Sequence, residues 1–215
     1  MGTLLNRRRY MGNNGGGDVI VTDINGIEYK VVRYIATPSS GTLPLIDTGF
    51  KATQDTYLEM KCSNGNDSTT AYNGIFLYGA ETPRFSLRCE TKRLRFDYNT
   101  SMEYVNFVFS GGLEIVIVHD KNTLYIDGVQ IAQTTYPTTG FTTPYTIYLC
   151  GLHRNSTITY TTPNFIIEYC KIKDNGVLIR DYIPVSRLSD GKYGLFDNEN
   201  RICYFSLNDG EFLGG

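Results

Sequence analysis

Two carboxylates alternating along one strand would share a face of a sheet, and a pair about 5–5.5 Å apart is what retaining glycosidases use as acid and nucleophile. The sequence offers no Glu-x-Asp-x-Glu run of the kind that would set out such a pair. Glu59 is followed by Lys61, Glu114 by Val116 and Val118, and Glu168 by Cys170, so each acid stands alone on its stretch. They read as solvent-face or edge charges, and no catalytic residue is expected. His119 and His153 are the only two histidines, too few for a His-rich metal site. His119 precedes Asp120-Lys121-Asn122 and reads as part of a polar hairpin turn, in a structural role. Asn64, Asn66 and Asp67 form the one loop dense enough in oxygen ligands to suggest calcium, but solvated turn chemistry accounts for them better. No metal and no cofactor is expected.

Binding chemistry is the richer prospect. Glycan recognition needs an aromatic ring beside groups that hold sugar hydroxyls. Tyr148 with Arg154 and Asn155 fits that description, as does Tyr57 with Tyr78. With 17 tyrosines in the chain, packing in the core or on a sheet face is the competing reading for each. At the N-terminus, Leu4, Leu5 and Tyr10 flank Arg7, Arg8 and Arg9, ahead of the spacer Asn13-Asn14-Gly15-Gly16-Gly17. Burying the apolar residues while the guanidinium groups pair with an acidic partner suits a docking peptide. Three arginines without a wider basic face, in a chain of net charge −2, make no case for nucleic acid.

The elements that would carry these residues are strands. Leu113 to Ala132 sets the pattern: an alternating run through Ile115 and Ile117, a polar turn, Thr123-Leu124-Tyr125-Ile126, the tight-turn dipeptide Asp127-Gly128, and a third strand from Val129. Asn25-Gly26 and Asn175-Gly176 mark further hairpins. Strands are expected over 56–62, 74–79, 85–89, 93–98, 145–151, 165–172 and 177–183, and no long stretch has helical period. Thr134 to Thr143 reads as a Thr/Pro/Gly loop. At 215 residues and 41% hydrophobic, the chain can bury a sizeable core as one domain over residues 18–215, with 1–17 as an arm. The expected fold is all-β, two antiparallel sheets in a jelly-roll sandwich.

The five cysteines are widely spaced, odd in number and without a Cys-x-x-Cys pair, so they read as reduced, half-buried strand residues; a disulfide pair plus a leftover thiol is the alternative. No run approaches the ~18 apolar residues of a membrane helix, and the basic N-terminus lacks an apolar core behind it, so neither membrane insertion nor secretion by the usual route is expected.

The order of these pieces resembles the concanavalin A-like, LamG-type lectin/glucanase domains of bacteriophage structural proteins. Tyr34-Ile35 and Ile46-Asp47-Thr48-Gly49 match the entry of such domains. Lys171-Ile172, Asn175-Gly176, Arg180-Asp181-Tyr182-Ile183-Pro184 and Gly194-Leu195-Phe196-Asp197 match their exit. The likeness runs from about Glu28 to Gly215. It implies a non-enzymatic virion subunit, assembled in the bacterial cytoplasm as part of a fibre or a capsid or tail decoration. Residues 1–17 would then anchor it to capsid or tail proteins or to sister subunits, a trimer being favoured. The alternative is an adhesin for host-surface polysaccharide.

Overall fold

The computed structural model describes residues 18–64, 75–80, 83–90, 93–107, 112–154, 157–159 and 163–215; for 64, 75–77, 90 and 157–159 the backbone alone is described. The docking segment (Leu4, Leu5, Arg7, Arg8, Arg9, Tyr10), Asn66, Asp67 and Asn155 lie outside these residues.

Among the described residues there is no helix. The strands in chain order are β1 (Ile20–Thr22), β2 (Glu28–Val31), β3 (Ile35–Ala36), β4 (Ile46–Asp47), β5 (Thr56–Asn64), β6 (Ile75–Ala80) and β7 (Arg84–Glu90). They continue as β8 (Arg93–Asn99), β9 (Ser101–Asn106), β10 (Ile115–Asp120), β11 (Thr123–Ile126), β12 (Val129–Gln133), β13 (Tyr148–Leu149) and β14 (Leu152–Arg154). The last are β15 (Thr157–Thr159), β16 (Phe165–Asp174), β17 (Val177–Arg187), β18 (Tyr193–Asp197), β19 (Ile202–Tyr204) and β20 (Leu213–Gly214). They form two sheets, a β-sandwich. The larger runs β1-β2-β17-β16-β5-β10-β11-β12, and the smaller runs β15-β14-β6-β7-β8-β9. Among the described residues pairing is antiparallel except for one parallel bridge, His153 to Ala80.

Period-2 alternation explains the core. In β10, Ile115, Ile117 and His119 point inward while Val116, Val118 and Asp120 face out. Leu58, Met60 and Cys62 of β5 and Ile167, Cys170 and Ile172 of β16 meet Phe85, Leu87, Leu94, Phe96 and Tyr98 from the smaller sheet. Asp127-Gly128 and Asn175-Gly176 turn with both residues at positive φ, the type I′ geometry their side chains favour. The first hairpin is looser than Asn25-Gly26 suggests. Asp23 caps it, its Oδ1 accepting the N–H groups of Asn25 and Ile27 at 2.8 and 2.9 Å.

Three expectations need correction. His119 is not in a turn: it is fully buried in β10, stacked on Phe85 with ring centroids 3.7 Å apart, and the turn is Lys121-Asn122. An imidazole is flat enough to pack like a phenyl ring, so aromatic packing outweighs its polarity. The stretch 145–151 is not one strand, because Cys150 adopts φ +63° and separates β13 from β14. Tyr57 and Tyr78 do not share a surface, since Tyr57 faces out of the larger sheet and Tyr78 is wholly inside the sandwich. The cysteines are all free thiols; Cys62, Cys89, Cys150 and Cys170 are buried and Cys203 is half-buried.

Candidate functional site

At one end of the sandwich the segment before β5 and the long loop between β12 and β13 come together. Thr143 ties them: its N–H donates to the Ala52 carbonyl at 2.7 Å, and its Oγ1 accepts the Ala52 N–H at 2.9 Å. Beyond this clamp lies a shallow, open cleft of about 420 Å³, lined by Thr53, Gln54, Asp55, Gly140, Phe141, Thr142, Asp174 and Asn175.

The cleft is braced from below by one buried residue. The Tyr98 hydroxyl donates to the Gln54 carbonyl at 2.7 Å. Phe141 stands edge-on against the Tyr98 ring, centroids 5.2 Å apart, and Tyr136 lies nearly parallel to it at 6.3 Å. A core aromatic thus fixes two loop aromatics and one wall. Tyr136, outside this lining but bonded to Asp55, stays 42% exposed, enough ring to meet a ligand.

The polar groups are equally fixed. Asp174, at the end of β16, accepts hydrogen bonds on Oδ1 from Thr53 Oγ1 at 2.5 Å and Thr56 Oγ1 at 3.2 Å. Asp55 pairs with Lys121 Nζ at 3.0 Å and accepts the Tyr136 hydroxyl at 3.2 Å. Lys121 chiefly, against some desolvation, holds the Asp55 carboxyl below its ordinary range, so it is ionised at neutral pH. Two oriented carboxylates, an amide and two aromatic rings on loops held by rigid strands form a constellation that can grip sugar hydroxyls. Among the described residues, no group of three or more His, Cys, Asp or Glu side chains is placed to hold a metal ion.

Reading along single strands missed this cleft. Its residues come from three separate stretches, and the loop 134–143 reads by composition as a connector. The available signal was Tyr136 and Phe141 themselves, two large aromatics in a loop where no strand needs them.

No protein-family model matches this chain. No curated protein matches it either.

The patch expected at Tyr148 is differently built. Tyr148 is 6% exposed and its ring face is covered by His153, stacked at 4.2 Å. Arg154 sits at the exposed end of β14. Burial holds His153 below its usual value, while Asp47 acts the other way.

The isolated acids also meet across strands. Glu168 lies at a β-bulge, where the register with β5 passes from Ile167↔Cys62 to Tyr169↔Lys61, so Glu168 and Tyr169 both face outward. Lys61 reaches Glu168 at 2.7 Å and Glu114 at 2.9 Å, and Arg33 bonds Glu114 as well. Lys61 is the main reason Glu114 is held below the ordinary carboxylate range. Alongside, Glu59 accepts the hydroxyls of Tyr57 at 2.6 Å and Tyr169 at 2.9 Å. Glu59, Glu114 and Glu168 are thus each engaged by a neighbouring cation or hydroxyl.

Proposed function

We propose that the protein is a non-enzymatic structural subunit of a bacteriophage virion, a fibre or decoration protein, whose jelly-roll sandwich of the concanavalin A-like kind presents a glycan-binding cleft. The observation that carries the reading is the end cleft, with Tyr136 and Phe141 braced on Tyr98 beside Asp55, Gln54 and Asp174. Asp55, held ionised by Lys121, is not poised to give up a proton, which suits a group that accepts hydrogen bonds from a bound sugar. The open shape suits an extended host-surface polysaccharide, which crosses a groove without being engulfed. The phage setting comes from the resemblance of the strand order. Residues 1–17, with Leu4, Leu5 and the three arginines, supply the anchor to capsid or tail proteins or to sister copies in a trimer.

A glycan array probed with the full chain and with the Tyr136→Ala and Phe141→Ala variants tests the site. Binding that falls about two- to tenfold in either variant is expected, as stacking contacts are worth about 0.5–1.5 kcal/mol each. Binding unaltered in both removes the cleft from the reading. Leu4→Asp with Leu5→Asp tests the anchor: the variant is expected to fold normally and to be left out of particles, and normal incorporation would refute that role.

A further inference from the structure

The charges around the cleft point to a class of sugar. We propose that it selects non-anionic saccharides, amino sugars ahead of neutral ones, and turns away uronic, sialic and phosphate-bearing sugars. The inference rests on the glycan-binding reading and sharpens it.

A carboxylate only accepts hydrogen bonds, so a ligand meeting Asp55 and Asp174 must donate. Asp174 is oriented for this: both threonine hydroxyls bond Oδ1, and Oδ2 receives no hydrogen bond among the described residues. Its side chain lines the cleft and is half-buried, which weakens competition from water. Among the described residues, the one cation paired with either acid is Lys121, on Asp55. Lys173, next in sequence to Asp174, holds its ammonium 4.6 Å from the Tyr57 ring centroid, away from the acid. Gln54 directs its amide N–H at Asp55 Oδ2, 3.5 Å away. Two negative charges against one positive leave the cleft with one in excess. That excess favours a sugar ammonium, admits a diol, and repels a carboxylate or phosphate.

The test is saturation-transfer NMR on the full chain at millimolar sugar. Methyl glycosides of glucose, galactose and mannose are each compared in neutral, 2-amino and uronate forms, at about 0.01 M and 0.15 M salt. The amino form of at least one sugar is expected to bind about tenfold tighter than its neutral form and the uronate about tenfold weaker, both differences shrinking at the higher salt. Asp174→Asn keeps an acceptor for both threonines, and is expected to remove the amino preference, the amino and neutral forms then binding within about twofold of each other. Gly140→Leu fills the cleft, since a Cβ there already approaches Gln54 Oε1 at 3.1 Å, and is expected to abolish binding without lowering the melting temperature. Equal binding of all three forms overturns the charge selection and leaves the glycan reading standing. Uronate binding best, or binding unchanged in Gly140→Leu, also overturns it. No binding by any sugar overturns both.

Discussion

The buried histidine gives the sharpest test of the folding physics. His119 sits in the middle of the core, stacked on Phe85, edge-on to Phe96 at 4.6 Å, and hydrogen-bonded through Nδ1 to the Tyr78 hydroxyl at 3.1 Å. Its Nε2 has no hydrogen-bond partner among the described residues. Burial pushes its pKa well below the usual 6.5, so the ring is neutral in the folded protein, whereas in the unfolded chain it takes up a proton near its ordinary value. Below about pH 6.5 the unfolded state therefore binds more protons, and stability falls as the pH falls, by about 1.4 kcal/mol per pH unit. Between pH 6.5 and pH 5 that amounts to about 2 kcal/mol, a large fraction of a small domain's margin. The carboxyls held below their ordinary range, Asp55 and Asp190 among them, add their losses at lower pH. His119→Phe with Tyr78→Phe replaces both partners by apolar rings of similar shape. It is expected to be neutral or stabilising at pH 7.5 and to lose this slope. Urea unfolding of both proteins at half-unit steps from pH 7.5 to pH 5 measures the difference. Parallel curves would refute the assignment of a neutral, desolvated imidazole.

The remaining expectations concern surface and thiols. In Lys61→Met, Glu114 loses the main group that lowers its pKa, and NMR titration is expected to show it moving up toward the ordinary carboxylate range. Tyr98→Phe removes the bond to the Gln54 carbonyl and is expected to cost about 1 kcal/mol of stability, read by urea melts, and to weaken glycan binding by loosening the cleft wall. Burial raises the Cys62, Cys89, Cys150 and Cys170 thiols, and pushes Cys203 up to about 12. Iodoacetamide at pH 8 should therefore label almost none of the native protein, and five sites after denaturation, counted by mass spectrometry.

Much of the fold was legible because its signals are local. The alternation of Ile115 and Ile117, and the Asp127-Gly128 and Asn175-Gly176 turns, each act over a few residues, and the strands they predict are present. The failures share a cause: the deciding partner lies far along the chain. His119 looks polar until Phe85 and Phe96 surround it, and Cys150 takes a left-handed backbone that no short motif announces. The strand β9 went unread because Met102, Glu103 and Tyr104 are exposed and carry no clean alternation. The candidate cleft was least visible of all. Asp55, Phe141 and Asp174 are brought together by strand register and by the Thr143 clamp, neither of which is written in any one stretch.

The bulge at Glu168 bears on how such a chain tolerates insertions and deletions. In a strand buried on one face, one added residue normally inverts every side chain beyond it, carrying Cys170 and Ile172 out and Lys171 in. Here the extra position is absorbed on the spot, so the alternation on both sides keeps the phase the core demands. Removing Glu168 would leave Ile167, Tyr169 and Cys170 in regular in–out–in order. A change of chain length in a central strand is thereby turned into a change of charge beside Lys61, and the interior need not register that it happened.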